Sequence, residues 1–173
     1  ISSTARIRSL AAVIRKHRGI REAVVLIGPE RYNELYERFD NLNELLAWGH
    51  ATVIENLVAR VPECPRALSD QFANPRVLQR ALGRKGLEID LQQRTKGESD
   101  VAVAAASILA REAFVGWMEQ AASDWGLPLA LGAGPPVLET GSAFVEKHGV
   151  QELRKVGKVH FKTTNHLTGG RFE

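Results

Sequence analysis

The stretch from Arg94 to Glu112, R-T-K-G-E-S-D-V-A-V-A-A-A-S-I-L-A-R-E, governs how the rest of the chain is read. Arg94 and Lys96 lead into the carboxylates Glu98 and Asp100 where a helix is expected to begin. Carboxylates in a first helical turn complement the positive end of the helix dipole, and they are also the hard oxygen ligands that hold a divalent cation. The neighbouring cations suit a polyanion. The same residues also fit a plain N-terminal cap on a core helix, because Ser and Asp are favoured there. The helix is expected from about Ser99 to Trp125. Ala102, Ala104, Ala105 and Ala106 make its first half thin enough to approach a sheet closely, and Ile108, Leu109, Phe114, Val115, Trp117 and Met118 thicken the second half into core.

Upstream, L-E-I-D-L (Leu87 to Leu91) alternates apolar with acidic residues, the period of a half-exposed strand. Pro75 opens a helix through Val77, Leu78 and Leu82. Ala67 to Phe72 form a strand carrying Asp70, an acid that is costly there unless paired, metal-bound or at the strand end. Asp70 is thus a candidate ligand or the cap of the following turn. Asp40 or Asn41 caps a long helix with a stripe through Leu42, Leu45, Leu46, Val53, Ile54 and Leu57. His50 lies inside that helix and is read as a packed or surface residue rather than a ligand. Pro29 opens a shorter helix, A-V-V-L-I (Ala23 to Ile27) fits a buried strand, and Ser3-Thr4 cap an N-terminal helix facing inward through Ile7, Leu10, Ala11 and Ile14. Downstream, Val137 to His148 form a helix stopped by Gly149, and Q-E-L-R-K-V-G adds a turn or two. The tail K-V-H-F-K-T-T-N-H-L is expected to be irregular. Many helices and few strands describe an α/β protein.

Composition sets the limits. At 173 residues the chain suits one domain with a real core, and 44% hydrophobic with 25% charged residues is ordinary for a globular protein. A net charge of +3 is consistent with a nucleic-acid partner without requiring one. Cys64 is the only cysteine, so no intramolecular disulfide forms and a reducing, cytoplasmic setting is expected. No stretch is expected to be apolar enough to span a membrane, and no signal-like segment is evident.

Four blocks then carry a resemblance. E-S-D-V-A-V-A-A-A-S-I-L-A-R-E (Glu98 to Glu112), Y-N-E-L-Y-E-R-F-D-N-L-N-E-L-L-A-W-G-H-A (Tyr32 to Ala51), S-D-Q-F-A (Ser69 to Ala73) and K-V-H-F-K-T-T (Lys158 to Thr164) resemble the type 2 ribonucleases H, and within them ribonuclease HIII. The likeness runs over essentially the whole chain. It implies a ribonuclease H-like α/β fold, a mixed sheet flanked by helices, with residues 1–173 forming a single domain that is the C-terminal portion of a catalytic domain. It also implies an endonuclease that cleaves the RNA strand of RNA/DNA hybrids by two-metal hydrolysis, using Mg2+ or Mn2+. Asp70 matches the third of the family's four carboxylates and Glu98 the fourth, with Asp100 in reserve. Arg94, Lys96, Lys158 and Lys162 are candidate phosphate contacts or ordinary surface charges.

One departure matters. The family opens its catalytic domain with a D-E-S-G-K-G type of block that supplies two carboxylates, and nothing in this sequence matches it. The first strands and a small N-terminal substrate-binding domain are therefore expected to lie outside this chain, leaving an apolar sheet edge. A missing N-terminal segment or another chain is needed to complete the active site, and this chain alone is expected to be inactive. The alternative is a non-catalytic nucleic-acid-binding or partner-binding module derived from the same fold.

Overall fold

The computed structural model describes residues 3–170. In chain order its helices are α1 (Thr4–Lys16), α2 (Pro29–Phe39), α3 (Leu42–Arg60), α4 (Pro75–Arg84), α5 (Val101–Trp125), α6 (Pro135–His148), α7 (Leu153–Val156) and α8 (Lys162–Thr168). Two strands, β1 (Arg66–Asp70) and β2 (Asp90–Arg94), flank α4, and a 3-10 turn, Gly97–Ser99, precedes α5. The residues fall into two compact units, one comprising the chain up to Leu26 with Phe39–Phe114, the other Ile27–Arg38 with the chain from Val115 onward.

In the first unit, β1 and β2 run parallel, with Arg66 opposite Asp90 and Asp70 opposite Arg94. Parallel neighbours need a crossover, and α4 provides it. Asn74 caps α4 by accepting from the Arg76 N–H at 3.0 Å, and Pro75 fits its first turn. Ala47 and Ala51 of α3 are buried with Leu78, Ala81 and Leu82 of α4, and Phe72, Leu87, Ile89 and Leu91 pack against them. The alanines keep the two helices close. Glu44 tightens the same pair, accepting from Arg84 and from Arg80, each at 2.9 Å. The bond from Arg84, more than any other influence, holds the Glu44 carboxyl below its ordinary range. Arg15 of α1 reaches Glu112 of α5 at 2.9 Å.

Four expectations are corrected here. Ala23 to Ile27 form no strand. Their exposure does alternate as a strand's would, with Val24 and Leu26 at 41% and 55% and their neighbours half-buried, but a strand needs a ladder partner and none runs beside them among the described residues. The second strand starts at Asp90 rather than Leu87 and continues to Arg94, because Leu87 and Ile89 turn into the α3–α4 core before the ladder begins. Helix α5 is mostly exposed: Leu109 and Ala121 are buried, whereas Val101 is 84% exposed. Contrary to the reading of the sequence, α5 is also long and apolar enough to cross a membrane by length and composition.

The second unit is organised by Asn33, which is 2% exposed. Its amide donates to the carbonyls of Arg154 and Gly157 at 3.0 and 2.9 Å, and its carbonyl accepts from the Val159 N–H at 3.1 Å. One side chain thereby clamps the run that follows α7. Phe144 is buried beneath Trp125, ring centroids 5.1 Å apart. Helices α6 and α8 meet at Gly141, where a Cβ would lie 2.6 Å from Cδ1 of Leu167. Helix α8 is a fifth correction, since the sequence reads as irregular there. It ends at Gly169, which adopts a left-handed conformation (φ 61°) and donates its N–H to the Asn165 carbonyl at 3.0 Å, the usual glycine stop.

Asn33→Ala leaves two partly buried carbonyls and one N–H without their partner, so it is expected to destabilise the protein by about 1–3 kcal/mol. Denaturant unfolding of the variant beside the parent measures this, and a loss below about 1 kcal/mol would show that the clamp is dispensable.

Candidate metal and nucleic-acid site

The parallel ladder brings Asp70 and Arg94 side by side at the carboxyl ends of β1 and β2. Open α/β sheets bind their ligands beyond that end. The Gln71 N–H bonds to the Arg94 carbonyl at 2.9 Å and carries the pairing one step further. The chain then reverses through Lys96, in left-handed conformation at φ 57°, and folds Gly97 back onto β1. There the Gly97 N–H donates to Oδ1 of Asp70 at 2.8 Å. A Cβ on Gly97 would lie 3.0 Å from the Asp70 Cα and 3.2 Å from its Cβ, so a larger residue would require the turn or β1 to give by a few tenths of an ångström. Asp70 therefore reaches across to the next strand's turn instead of capping its own.

The two acids of the opening stretch have different surroundings. Asp100 accepts the Ala102 N–H on Oδ1 at 2.8 Å and the Ala104 N–H on its carbonyl at 2.9 Å, which makes it the N-cap of α5. Glu98 is exposed on the 3-10 turn, next in sequence to the glycine that touches Asp70. The described residues contain no group of three or more His, Cys, Asp or Glu side chains able to hold a metal ion. Asp70 and Glu98 have the hard-oxygen chemistry that Mg2+ or Mn2+ requires, but they offer fewer carboxylates than an all-protein cage.

Arg94 and Lys96 are exposed beside Asp70 and on the turn, with the Arg94 guanidinium donating to Oε1 of Gln92 at 3.0 Å. Lys158 and Lys162 belong to the second unit. The Lys158 Nζ lies 4.4 Å from the centroid of the Tyr32 ring, and burial lowers its pKa from the ordinary lysine value. Lys162 is exposed at the start of α8. Between them runs a stack that the sequence did not announce: Tyr36 on His160 at 3.8 Å, then His160 on Phe161 at 4.0 Å. Burial, and secondarily the charge of Lys158, lowers the His160 pKa.

Two more residues lie beside Asp70: Ser69, which no local pattern singles out, and His50, which packs as its place inside a helix suggests. Ser69, buried, has its Oγ 3.2 Å from Nδ1 of His50 and donates to the Asp70 carbonyl at 3.0 Å. His50 also lies against Phe72, centroids 4.7 Å apart, and burial lowers its pKa while the charge of Asp70 acts the other way. Nineteen residues separate His50 from Ser69, and no local pattern joins them.

The fold and this strand-end site define the class: a ribonuclease H-like α/β protein. A family model described as ribonuclease HII matches residues 3–164, a span that includes β1, β2 and α5. Ribonuclease HIII of Protochlamydia amoebophila (strain UWE25) is 45% identical over 146 residues, which are 84% of this chain and 48% of that protein. Ribonuclease HIII of Chlamydia trachomatis serovar L2 (strain ATCC VR-902B / DSM 19102 / 434/Bu) is 45% identical over 166 residues, 95% of this chain and 55% of that one. The solved structure of Bst-RNase HIII in complex with Mn2+ superposes with a TM-score of 0.89 at 26% identity, covering 98% of this chain and 56% of that one. The chain belongs to the ribonuclease HIII family. It spans about half the length of the relatives it matches.

Gly97→Ala crowds Asp70 at 3.0–3.2 Å and is expected to destabilise by about 1–3 kcal/mol. Gly116→Ala, where a Cβ meets nothing within 4 Å on α5, should instead stabilise by about 0.5–1 kcal/mol. Denaturant unfolding of both variants checks the contrast, and equal effects would contradict the close approach at Gly97. His160 yields a second expectation. Its folded-state pKa lies below the unfolded value, so the unfolded chain binds the proton first and stability falls as pH drops through about 6.5. His50 adds to the same slope. His160→Phe keeps a ring in the stack and should flatten the dependence of Tm on pH between about 5 and 7; an unaltered slope would assign the effect to other groups.

Proposed function

We propose that the protein carrying this chain is an endoribonuclease that cleaves the RNA strand of RNA/DNA hybrids with Mg2+ or Mn2+. The observation behind this reading is Asp70, held at the carboxyl end of β1 by Gly97 and followed on the facing turn by Glu98, in a member of the ribonuclease HIII family. The Mn2+ complex of Bst-RNase HIII supports a divalent cation. Bound cations would activate a water and stabilise the leaving 3′ oxygen. Asp70 and Glu98 would provide ligand oxygens from this chain, and Asp100 would stay the helix cap, second in line as a ligand. Arg94, Lys96, Lys158 and Lys162 would position phosphates without reading bases. The ribose 2′-hydroxyl is what marks the RNA strand.

The remaining carboxylates would come from the part of the protein that the relatives' greater length represents. We accordingly expect this chain alone to be inactive. The cytoplasm, where the exposed Cys64 thiol stays reduced, is our assignment for the whole protein.

In the whole protein, Asp70→Asn should lower metal-dependent cleavage of an RNA/DNA hybrid by more than the roughly 10–100-fold that loss of an outer-shell partner brings. Glu98→Gln should do likewise, whereas Asp100→Asn, which keeps a capping side chain, should retain most activity. The assay is cleavage of a labelled hybrid at several Mg2+ and Mn2+ concentrations. Full activity in Asp70→Asn would remove that residue from the site, and salt-dependent hybrid binding without any cleavage by the parent would favour a binding module.

A further inference from the structure

We propose that His50 and Ser69 are positioning residues that fix the Asp70 carboxylate for cation binding; this rests on the reading of Asp70 as a ligand. Ser69 has one hydroxyl hydrogen, and it goes to the Asp70 carbonyl at 3.0 Å. The Ser69 oxygen then accepts from His50, which fixes the hydrogen on Nδ1, 3.2 Å away. His50 is itself braced: its ring lies 4.7 Å from Phe72, and Phe72 packs on the core of Ala47, Ala51 and Leu78. A chain of contacts therefore runs from the packed face of α3 to the peptide of Asp70.

From the opposite side, the Gly97 N–H holds Oδ1 of the same residue at 2.8 Å. Asp70 is gripped at its carbonyl by one element and at one carboxylate oxygen by another. Rotation of its side chain is restrained, and Oδ2 is left for a cation. A buried hydroxyl and a half-buried imidazole beside an apolar core are unfavourable unless bonded, and here the Ser69 Oγ and the His50 Nδ1 pair with each other. An apolar pair would fill the same space without orienting anything. Ligands set by such outer partners commonly lose 10–100-fold in metal affinity when the partner is removed.

The test is Mn2+ binding to the whole protein by calorimetric titration, with hybrid cleavage measured alongside. His50→Leu and Ser69→Ala should each weaken Mn2+ binding by about 10–100-fold while the KM for hybrid stays within about twofold. His50→Asn places an amide near the Nδ1 position and should recover most of the affinity, whereas His50→Gln, whose amide lies near Nε2, should not. Parental Mn2+ affinity in Ser69→Ala, or equal losses in His50→Asn and His50→Leu, would overturn the proposal. Should His50→Leu fail to fold, the Ser69→Ala measurement alone decides it. Asp70→Asn in the same series separates the two claims: if it keeps parental activity the catalytic reading falls, and if it loses activity while Ser69→Ala binds Mn2+ normally only the positioning role falls.

Discussion

A backbone amide set against a carboxylate, Gly97 on Asp70 at 2.8 Å, is the constraint on which the rest of the first unit's strand end depends. Each neighbouring feature is needed to make it possible. The ladder must end with Asp70 beside Arg94, the chain must turn through a left-handed Lys96, and position 97 must come close to the Asp70 backbone, which glycine permits without crowding. Left-handed backbone is unfavourable for lysine, and it is retained where surrounding bonds over-determine it. Once Gly97 is placed, the 3-10 turn is set, and Asp100 falls where it caps α5. The start of the longest helix is thus fixed by the residue that holds the candidate ligand.

The acids of the first unit divide by what surrounds them. Glu44, Glu112 and Asp90 are paired with arginines at 2.9, 2.9 and 2.8 Å, and the first two have pKa values lowered chiefly by hydrogen bonds from Arg84 and Arg15. These pairs lie at or near the surface and add little stability individually. What they do is tie helices together: α3 to α4 through Glu44, and α1 to α5 through Glu112. Asp70, like Asp100, has a peptide N–H rather than a cation as its partner. Among the described residues no ion pair engages Asp70, and its negative charge is what a divalent cation would use.

Local chemistry was legible in the sequence, and pairing was not. Ser3 and Asn41 cap α1 and α3 as their residue types suggest, Pro29 and Pro75 open α2 and α4, and Gly149 stops α6. Each of these signals acts within four residues. Ala23 to Ile27 failed as a strand because a ladder partner is a property of the fold and not of an apolar run. The exposed face of α5 was unreadable for the same reason: composition shows that a helix is apolar but not what covers it. For α8 the one local signal is its stop at Gly169. The site divided likewise. Asp70 and the Arg94–Asp100 stretch stood out by residue type, whereas His50 and Ser69 are joined only by packing α3 against the β1–α4 core.

The structure also bears on how Glu98 and Asp100 share the work. An N-cap carboxylate accepts peptide N–H bonds at the positive end of a helix, and taking it away costs about 1 kcal/mol. Asp100 is so engaged, through Ala102, and drawing it toward a cation would expose the first turn of a 25-residue helix. Glu98 makes no such contribution to the fold, and its longer side chain starts from the residue adjoining Gly97. Moving the Glu98 carboxylate breaks nothing, so any cation that binds there keeps the full benefit of the ligand. On physical grounds Asp100 is a cap that stays and Glu98 a carboxylate free to move, both following the glycine that packs against Asp70.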